Sequence, residues 1–468
     1  MKLYNQRSRS VEPFEPLQEG KVGLYSCGPT VYDHAHIGNL SAYVFADILR
    51  RTLSANGFNV RHVMNYTDVD DKTIRRSAEK YPNEDPKTAL KNLADTYIEV
   101  FLEDMTSIGN DVDVLHFLRA TESITAIKQL IERLHTQGFA YIADDGVYFS
   151  IEAYKNSGKT YGQLLTLTSS NTSEARIQND EYDKDSAHDF ALWKKQKGSE
   201  PAWEFVLDGT SLDGRPGWHI ECSAMSESAL GLPFDIHTGG VDLIFPHHEN
   251  EIAQSTAGLS NAVMATFFTH NEHVLVDGHK MAKSAQNFFT LKDIVGQGYD
   301  PLAFRLLVLQ AHYRSQLSFS FDNLQAAQNR LAGYHSMADL VWQPVDDGVE
   351  AGAIEAHQSA ILTALASDLS TPEALASLSA LQVALETSGV SKPAQPALQA
   401  FLLWLDEVFG LQLGQRPDLS DKHKELLAKR SESREAKDWT TSDQLRKQLE
   451  EQGVFVRDTP NGHIWWRA

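Results

Sequence analysis

Three side chains of the kinds that bind transition metals lie near the middle of the chain, at Cys222, His247 and Glu251. His247 and Glu251 are four residues apart, so a helix would place them on one face, one turn from each other. Pro246 suits the first position of such a helix. Thiolate, imidazole and carboxylate together favour zinc, and the obvious fourth ligand is Cys27, the only other cysteine. A buried apolar cysteine and a solvated helix start would fit the same residues.

A second group of polar residues follows the first apolar stretch. Residues 21–26 predict a short buried strand, and a turn then leads to His36 and Asn39 at the start of a mostly apolar helix. Residues 58–66 predict the next strand. Strand, polar turn, helix and strand are the opening of a parallel nucleotide-binding sheet, in which a helix start near the carboxyl ends of strands favours phosphate. We therefore expect an α/β fold with a Rossmann-like parallel sheet.

Two further polar stretches could belong to the same site. Asp68, Asp70 and Asp71 follow the second predicted strand, where they could be functional or could only form a solvated turn. Lys280 and Lys283 lie in a loop next to a glycine, so they could contact phosphates as mobile side chains. A lysine-rich loop is also common as plain exposed surface, so this pattern is weak by itself.

The remaining chain predicts three additional regions. Residues 111–208 interrupt the strand–helix pattern and predict an insertion between two halves of the sheet domain. Apolar residues recur at helical spacing from 321 to 410, which is typical of an antiparallel helix bundle. A linker at 413–420 precedes a small module with two helices and a hairpin through residues 454–466.

Composition limits the classes of protein that the chain can represent. Its 468 residues are 42% hydrophobic, which is enough for two to four domains with sizeable cores. Two cysteines exclude a disulfide framework and suit a reducing compartment. No stretch approaches the roughly 20 apolar residues of a membrane span, and residues 1–5 lack a signal-peptide pattern, so we expect a cytoplasmic protein without membrane contact.

Charge is distributed unevenly along the chain. The formal net charge of −21 repels nucleic acid on average. From Arg416 onward, however, 11 basic residues face 10 acidic ones, so the terminal module is nearly neutral. Nucleic-acid binding is therefore not excluded, and the tail repels RNA least.

Taken together, these motifs resemble the cysteinyl-tRNA synthetases, a family of class I aminoacyl-tRNA synthetases. Residues 36–39 (His-Ile-Gly-Asn) are similar to the class I HIGH motif, and residues 280–284 (Lys-Met-Ala-Lys-Ser) are similar to KMSKS. Residues 65–72, 217–225 and 245–251 resemble stretches that are specific to this family and its nearest relatives. The resemblance covers nearly the whole chain, in the right order.

The resemblance implies a role for individual residues. It implies that four residues ligate one zinc ion per chain: Cys27, Cys222, His247 and Glu251. It implies ATP binding and catalysis by residues of the two short motifs: His36, Gly38, Asn39, Lys280 and Lys283. It assigns three residues to the cysteine pocket: Thr67, Trp218 and Asp242. Anticodon reading is implied for four residues of the tail: Arg434, Trp439, Asp443 and Asp458.

The sequence departs from the family pattern in three places. Ala282 replaces the usual serine of the lysine motif, which removes one hydroxyl group. Thr238 stands where glycine is common, and the residues directly after the first motif, 40–41, lack a frequent nearby arginine. These departures concern rates more than the identity of the reaction.

The resemblance also implies a division of the chain and a C-terminal anticodon-binding module of α+β type. The expected regions are the first half of the catalytic nucleotide-binding domain (1–110), a connective insertion (111–208), the second half with the zinc motif (209–265), a stem-contact region with the KMSKS-like loop (266–322), a helical bundle (323–412) and the anticodon-binding module (413–468).

The expected reaction is ATP-dependent activation of L-cysteine to cysteinyl-adenylate, followed by transfer to tRNA(Cys). Zinc would select the substrate thiolate, Mg²⁺ would accompany ATP, and we expect a monomer. Two alternatives stay open. One is a cysteine:amino-sugar ligase of the mycothiol-pathway type, which should lack the terminal module. The other is an inactive zinc-containing paralogue that only binds tRNA, against which the presence of His36, Lys280 and Lys283 argues.

Overall fold

The computed structural model describes residues 1–165, 189–259, 262–276, 278–281, 287–459 and 462–467, without the side chain of Lys280. Its α-helices are Ile37–Ala55, Asp71–Lys80, Pro86–Ser107, Ile124–Thr136, Ile151–Asn156, Trp218–Leu230, Glu249–Thr256, Leu291–Gly296, Pro301–Leu309, Phe321–Asp339, Ala351–Ala366, Thr371–Ser388, Gln395–Phe409, Asp421–Glu435 and Trp439–Glu450. Its strands are Lys2–Asn5, Ser10–Pro13, Lys21–Ser26, Asn59–Tyr66, Leu115–Arg119, Ala140–Ala143, Gly146–Phe149, Phe190–Lys195, Val206–Leu207, Thr210–Ser211, Gly214–Pro216, Phe234–Gly240, Ala265–Asn271, Val274–Val276, His279–Lys280, Leu317–Phe319, Val454–Thr459 and Gly462–Arg467.

A five-stranded parallel sheet, here called the main sheet, forms the centre of the part of the chain that precedes the helix bundle. Its strands follow one another across the sheet in the order Ala265–Asn271, Phe234–Gly240, Lys21–Ser26, Asn59–Tyr66 and Leu115–Arg119. From Lys21–Ser26 the chain adds Asn59–Tyr66 and then Leu115–Arg119 on one side. It later adds Phe234–Gly240 and Ala265–Asn271 on the other side. Strand order therefore reverses between Lys21–Ser26 and Phe234–Gly240, which is where such sheets bind ligands. The predicted α/β fold is confirmed.

Two of the expected region boundaries do not agree with the strands of the main sheet. Leu115–Arg119 pairs with Asn59–Tyr66 in the main sheet, although the insertion was expected to begin at residue 111. This edge strand is short and only half-buried, so it lacks the apolar run that identifies a buried strand. The expected boundary at residues 265–266 likewise falls inside a strand, because Ala265–Asn271 belongs to the main sheet, while Val274–Val276 belongs to a separate three-stranded sheet. In both cases the strand is assigned to a sheet by its hydrogen-bond partners, and a single sequence does not show these partners.

The insertion has its own antiparallel sheet and core. The sheet runs in the order Gly214–Pro216, Phe190–Lys195, Gly146–Phe149 and Ala140–Ala143. Helix Ile124–Thr136 packs apolar residues into the same core, as its spacing predicts. The polar stretch 169–188 that was assigned to the insertion lies outside the described residues.

A buried ion cluster joins the first helix of the main sheet to the helices that follow. Asp47 lies on helix Ile37–Ala55 and contacts Arg51 at 2.6 Å, Arg50 at 3.0 Å and Arg305 at 2.6 Å. Arg305 is fully buried and also donates to the carbonyl oxygens of Ile108 and, more closely, Phe409. The helix that begins at residue 37 is thereby fixed to the bundle.

One carboxylate of the bundle carries several of the contacts with the terminal module. Asp339, buried at the end of helix Phe321–Asp339, accepts two hydrogen bonds from the Arg416 side chain at 2.9 Å. It accepts two more from Arg467, one from the side chain at 2.5 Å and one from the backbone N–H at 2.9 Å. We call these three residues the Asp339 clamp. The module has a small apolar core of its own, made of Leu419, Leu426, Leu427, Leu449, Val454, Val456 and Trp465. Its two helices and its hairpin follow the sequence prediction, and residues 460–461, between the two strands of the hairpin, lie outside the described residues.

Among the described helices, we find none with the length and apolar character that crossing a membrane requires.

Candidate active site and metal centre

The candidate site lies at the carboxyl ends of the two central strands of the main sheet. Cys27 follows strand Lys21–Ser26 directly, and Gly28 then passes close to the neighbouring strand. A Cβ atom at Gly28 would lie 1.8 Å from the carbonyl oxygen of Asn65, so only glycine fits. The Asn65 side chain accepts a hydrogen bond from Gly28 N at 2.9 Å and holds the turn in place.

Four residues bring metal-binding atoms together at this edge. One ligand atom each from Cys27, Cys222, His247 and Glu251 lies within 4.8 Å of all the others, and the last three residues are buried. Cys222 comes from helix Trp218–Leu230. Two thiols, an imidazole and a carboxylate at such distances are a donor set that zinc takes, so the residues fit the expected ion. The structure therefore brings together all four residues that the sequence predicts for the metal.

The local backbone explains how His247 and Glu251 meet. Phe245 has extended backbone angles (φ −138°, ψ 134°), so the helical backbone begins at Pro246, as expected. His247 and Glu251 then lie one turn apart, with His247 Nε2 2.7 Å from Glu251 Oε1. The predicted i, i+4 pair is confirmed.

The structure adds histidines that sequence reasoning did not single out. His237 and His248 also form a candidate cluster with Cys27 and Glu251, again within 4.8 Å. His237 Nε2 lies 2.6 Å from Glu251 Oε2, and His248 Nε2 lies 3.4 Å from Cys27 Sγ. His237 is part of a buried strand, where only its position two residues before the glycine pair 239–240 hinted at a site.

Burial and neighbouring charges shift the pKa values of the candidate ligands in different directions. Burial raises the pKa of the Cys27 thiol, while a hydrogen bond from Cys27 lowers the pKa of Cys222. Burial alone would raise the pKa of Glu251, but His237 and His247 outweigh it and lower the pKa to about 2. Burial opposes the charged form of His247, yet Glu251 and Cys222 raise its pKa to about 10. The site therefore favours a carboxylate and one thiolate, the anionic ligands that a metal cation needs.

One of the three expected pocket residues contacts the metal cluster directly, and a second lies beside the Cys27–Gly28 turn through Asn65. The ring of Trp218 stacks on His247 with centroids 4.3 Å apart. Thr67 is buried at the end of strand Asn59–Tyr66, and its hydroxyl accepts a hydrogen bond from Asn65 at 3.2 Å. Asp242 is exposed in the turn that follows strand Phe234–Gly240. All three lie at the same edge of the main sheet.

The first short motif, residues 36–39, caps the start of helix Ile37–Ala55. His36 Nδ1 accepts hydrogen bonds from the backbone N–H groups of Gly38 at 3.0 Å and Asn39 at 3.2 Å. Asn39 Oδ1 accepts in return from His36 N at 3.4 Å. His36 and Asn39, which are expected to bind phosphates, cap this helix together. The positive end of the helix dipole still faces this edge of the sheet.

The second short motif lies beside the first. A Cβ atom at Gly38 would lie 2.6 Å from Met281 Cε, and Ile37 N donates to Phe289 O at 2.9 Å. The backbone of Lys280 forms part of strand His279–Lys280. The side chain of Lys280 and all of Ala282 and Lys283 lie outside the described residues, so their assignments stay predictions.

The residues expected to read an anticodon form a partly exposed cluster in the module. Asp458 pairs with Arg434 at 2.9 Å, and with Arg430 through two hydrogen bonds at 2.9 Å. The guanidinium of Arg434 lies 5.5 Å from the ring centre of Trp439, which is 55% exposed. Asp443 is exposed one helical turn after Trp439. Sequence reasoning missed Arg430, which is buried and holds Asp458 in place.

Comparison with known families assigns both ends of the chain. Residues 13–329 match the model of the class I tRNA synthetase (C) catalytic domain, and residues 416–467 match the cysteinyl-tRNA ligase anticodon binding domain. The second match includes the whole cluster around Trp439.

Curated relatives match over the full length. A cysteine–tRNA ligase of Solibacter usitatus (strain Ellin6076) is 39% identical over 480 residues, which cover 100% of this chain and 99% of the relative. A cysteine–tRNA ligase of Leptospira interrogans serogroup Icterohaemorrhagiae serovar copenhageni (strain Fiocruz L1-130) is 37% identical over 481 residues, 99% of each chain.

Solved structures share the fold at low sequence identity. Mycobacterium tuberculosis methionyl-tRNA synthetase in complex with methionyl-adenylate has a TM-score of 0.57 and 13% identity, over 84% of this chain and 92% of the other. The ternary complex of Agrobacterium radiobacter K84 agnB2 LeuRS-tRNA-LeuAMS has a TM-score of 0.57 and 11% identity, over 87% and 86%.

Proposed function

The chain belongs to the cysteine–tRNA ligase family of class I aminoacyl-tRNA synthetases, and we propose that it attaches L-cysteine to tRNA(Cys) through a cysteinyl-adenylate. The observation that carries this proposal is the cluster of Cys27, Cys222, His247 and Glu251 at the point where strand order reverses. The match of residues 416–467 to an anticodon binding domain argues against the amino-sugar ligase.

The first step joins cysteine to AMP. A carboxylate oxygen of cysteine attacks the α-phosphorus of ATP, the bond to the bridging β-phosphate oxygen breaks, and pyrophosphate leaves. A Mg²⁺ ion bound to ATP would neutralise charge on these phosphates. The nucleophile is already ionised, so this step needs no base. Catalysis then depends on position and on charge stabilisation. We assign the phosphates to the helix start at His36–Asn39 and to Lys280 and Lys283, and the contact of Gly38 with Met281 supports this grouping.

The second step transfers the cysteinyl group. The terminal ribose hydroxyl of the tRNA attacks the carbonyl carbon of the mixed anhydride, and AMP leaves with the electron pair of the broken bond. The hydroxyl proton passes to the leaving phosphate or to water. This step requires the end of the tRNA to reach the carboxyl edge of the main sheet.

Selection of cysteine over serine needs more than pocket size, because the two differ only by sulfur for oxygen. When bound to the four donors, zinc supplies a thiolate-selective Lewis acid that favours the cysteine side chain. Around it, Trp218 stacks on His247 and forms one wall of the pocket. Asn65 orients the Thr67 hydroxyl at 3.2 Å, so that this buried group can meet the substrate.

Two assays on one preparation test the proposal. ATP–pyrophosphate exchange should depend on cysteine and should be far slower with serine. Charging of tRNA should then load cysteine onto tRNA(Cys). Absence of cysteine-dependent exchange would reject catalysis and leave the inactive paralogue. Exchange without charging would instead favour a ligase with another acceptor.

A further inference from the structure

Helix Asp71–Lys80 presents a cationic face in a strongly acidic chain. Its buried residues are Thr73, Ile74 and Ser77, which turn one face to the protein. The basic residues of the helix are all exposed: Lys72, Arg75, Arg76 and Lys80. The helix has only two acidic residues, whereas the whole chain has 63 acidic and 42 basic ones. Such a local reversal of charge attracts a polyanion.

Aromatic rings lie directly beneath these cations. Lys72 Nζ is 5.9 Å from the ring centre of Tyr32. Lys80 Nζ is 5.2 Å from that of Tyr81 and 5.4 Å from that of Tyr97. All three rings are partly exposed. Flat rings interleaved with mobile cations are the combination that binds unpaired nucleic acid, since rings stack on bases and cations meet phosphates.

The same surface continues into the candidate active site. The helix follows strand Asn59–Tyr66 at the carboxyl edge of the main sheet, after a turn in which Thr67 O accepts from Val31 N at 3.1 Å. The ring of His34 contacts Tyr97 with centroids 5.8 Å apart. His36 lies two residues after His34 in the chain. An RNA strand bound to this surface would therefore lead to the expected site of the adenylate.

We propose that the surface formed by Lys72, Arg75, Arg76, Lys80, Tyr32, Tyr81 and Tyr97, here called the cationic helix surface, binds the unpaired 3′ end of the tRNA. This inference rests on the proposed function, because only a tRNA substrate must bring its terminal ribose to this edge. A duplex would offer no free bases to the rings, so the single-stranded end fits this surface better than the acceptor stem does.

The ion pairs of this surface do not prevent RNA binding. Arg76 pairs with Glu79 at 3.6 Å, and both side chains are about half exposed, so a phosphate can replace the carboxylate. Arg75 has no ion pair with the described part of the chain within 4 Å. Its guanidinium is therefore available to a phosphate group.

The test compares two RNAs on two variants. Arg75→Glu/Lys80→Glu reverses two charges of the cationic helix surface. The matched control, Lys2→Glu/Lys21→Glu, makes the same charge change at exposed strand starts, Lys21 being at the amino end of its strand. Each protein is titrated with full-length tRNA(Cys) and with the same tRNA lacking its unpaired 3′ nucleotides, over a series of salt concentrations.

The unchanged protein should bind full-length tRNA more tightly than the truncated tRNA. In Arg75→Glu/Lys80→Glu this advantage should fall by about tenfold, and the salt slope should drop by about 0.7 for each lost phosphate contact. The control should retain the advantage, and cysteine-dependent pyrophosphate exchange should be unchanged in both.

Two results would overturn the inference. An equal loss of affinity for both RNAs would place the contact elsewhere on the tRNA, and an unchanged advantage would mean that the 3′ end does not touch this surface. If the unchanged protein neither exchanges pyrophosphate nor binds tRNA, the proposed function fails first, and that outcome is distinct from either of these.

Discussion

Gly38 and Met281 lie in direct contact, although 243 residues separate them in the sequence: a methyl group at Gly38 would lie 2.6 Å from Met281 Cε and 2.9 Å from the His36 ring. The two short motifs are thus packed against each other at the start of one helix. A side chain at position 38 would require the end of the Met281 side chain and the His36 ring to move.

Gly38→Ala should therefore reduce activity without reducing stability. Alanine favours a helix over glycine by about 1 kcal/mol, so the free energy of unfolding should not fall greatly. Displacement of phosphate-binding groups by about 1 Å can cost on the order of 100-fold in rate. Pyrophosphate exchange and urea unfolding measure the two effects. Gly352→Ala is the matched control, because a Cβ there has no neighbour within 4 Å. Normal exchange in Gly38→Ala would show that the contact is unimportant.

Cys222→Ala should remove the metal and weaken cysteine binding together. We expect the purified protein to contain about one zinc ion per chain without added metal, on the usual stoichiometry of such a donor set. Elemental analysis should show loss of zinc in the variant, and the KM for cysteine should rise more than the KM for ATP. Ser226→Ala removes a small polar group one turn further on the same helix and should retain the ion. Full zinc occupancy in Cys222→Ala would disprove the four-ligand assignment.

Lys283→Ala should slow adenylate formation far more than it weakens cysteine binding. This prediction rests on the sequence, since Lys283 lies outside the described residues. A lysine that meets charge developing on the phosphates typically contributes on the order of 10²–10³ in rate. Pre-steady-state exchange and equilibrium binding of cysteine separate the two quantities. Lys292→Ala, at an exposed lysine nine residues further along the chain, should leave both unchanged.

Asp443→Ala should lower tRNA charging and leave pyrophosphate exchange intact. Asp443 is exposed one turn from Trp439, so it can meet the edge of an unpaired base that stacks on this ring. The neighbouring exposed residue Gln444 provides the control variant Gln444→Ala. Equal loss of charging and exchange would indicate a folding defect, and no loss of either would place anticodon reading elsewhere.

Asp47→Asn should destabilise the protein strongly, because it leaves Arg305 charged and fully buried without its carboxylate. Breaking such a buried pair costs about 3–5 kcal/mol in the free energy of unfolding. Urea unfolding should show this loss, and Asp47→Asn/Arg305→Leu should lose less than the two single variants together. An additive result would mean that the pair is not coupled.

The same pair predicts a dependence of stability on pH. Burial raises the pKa of Asp47, but Arg51, Arg305 and Arg50 outweigh it and hold the pKa below its usual range. A lowered folded-state pKa stabilises the protein above the unfolded-state pKa near 4, and this contribution is lost as pH falls below it. The stability lost between pH 5 and pH 3 should therefore be smaller in Asp47→Asn.

The sequence predicts the chemistry of the site better than its surroundings. Cys27, Cys222, His247 and Glu251 could be found because two cysteines are rare and the other two residues have helical spacing. His237 could not be found in this way, because the neighbours of a histidine in an apolar strand depend on how that strand pairs in the sheet.

The same limit applies to the fold. The parallel sheet follows from alternating strands and helices, but the edge strand Leu115–Arg119 is recognised only through its hydrogen bonds to Asn59–Tyr66. Arg305 is likewise an ordinary arginine of an apolar helix until Asp47, 258 positions earlier, is placed beside it. Contacts between residues far apart in sequence decide these features.

The Asp339 clamp has a consequence for the evolution and engineering of this chain. Arg416 and Arg467, one at each end of the terminal module, bind the same carboxylate. A segment whose two ends meet at one point can be exchanged as a cassette, provided that its replacement carries an arginine at each end. A graft of the terminal module onto another bundle would need an acidic residue like Asp339 and also a partner like Gln343, which exchanges two hydrogen bonds of 2.8 Å with the backbone of Trp465.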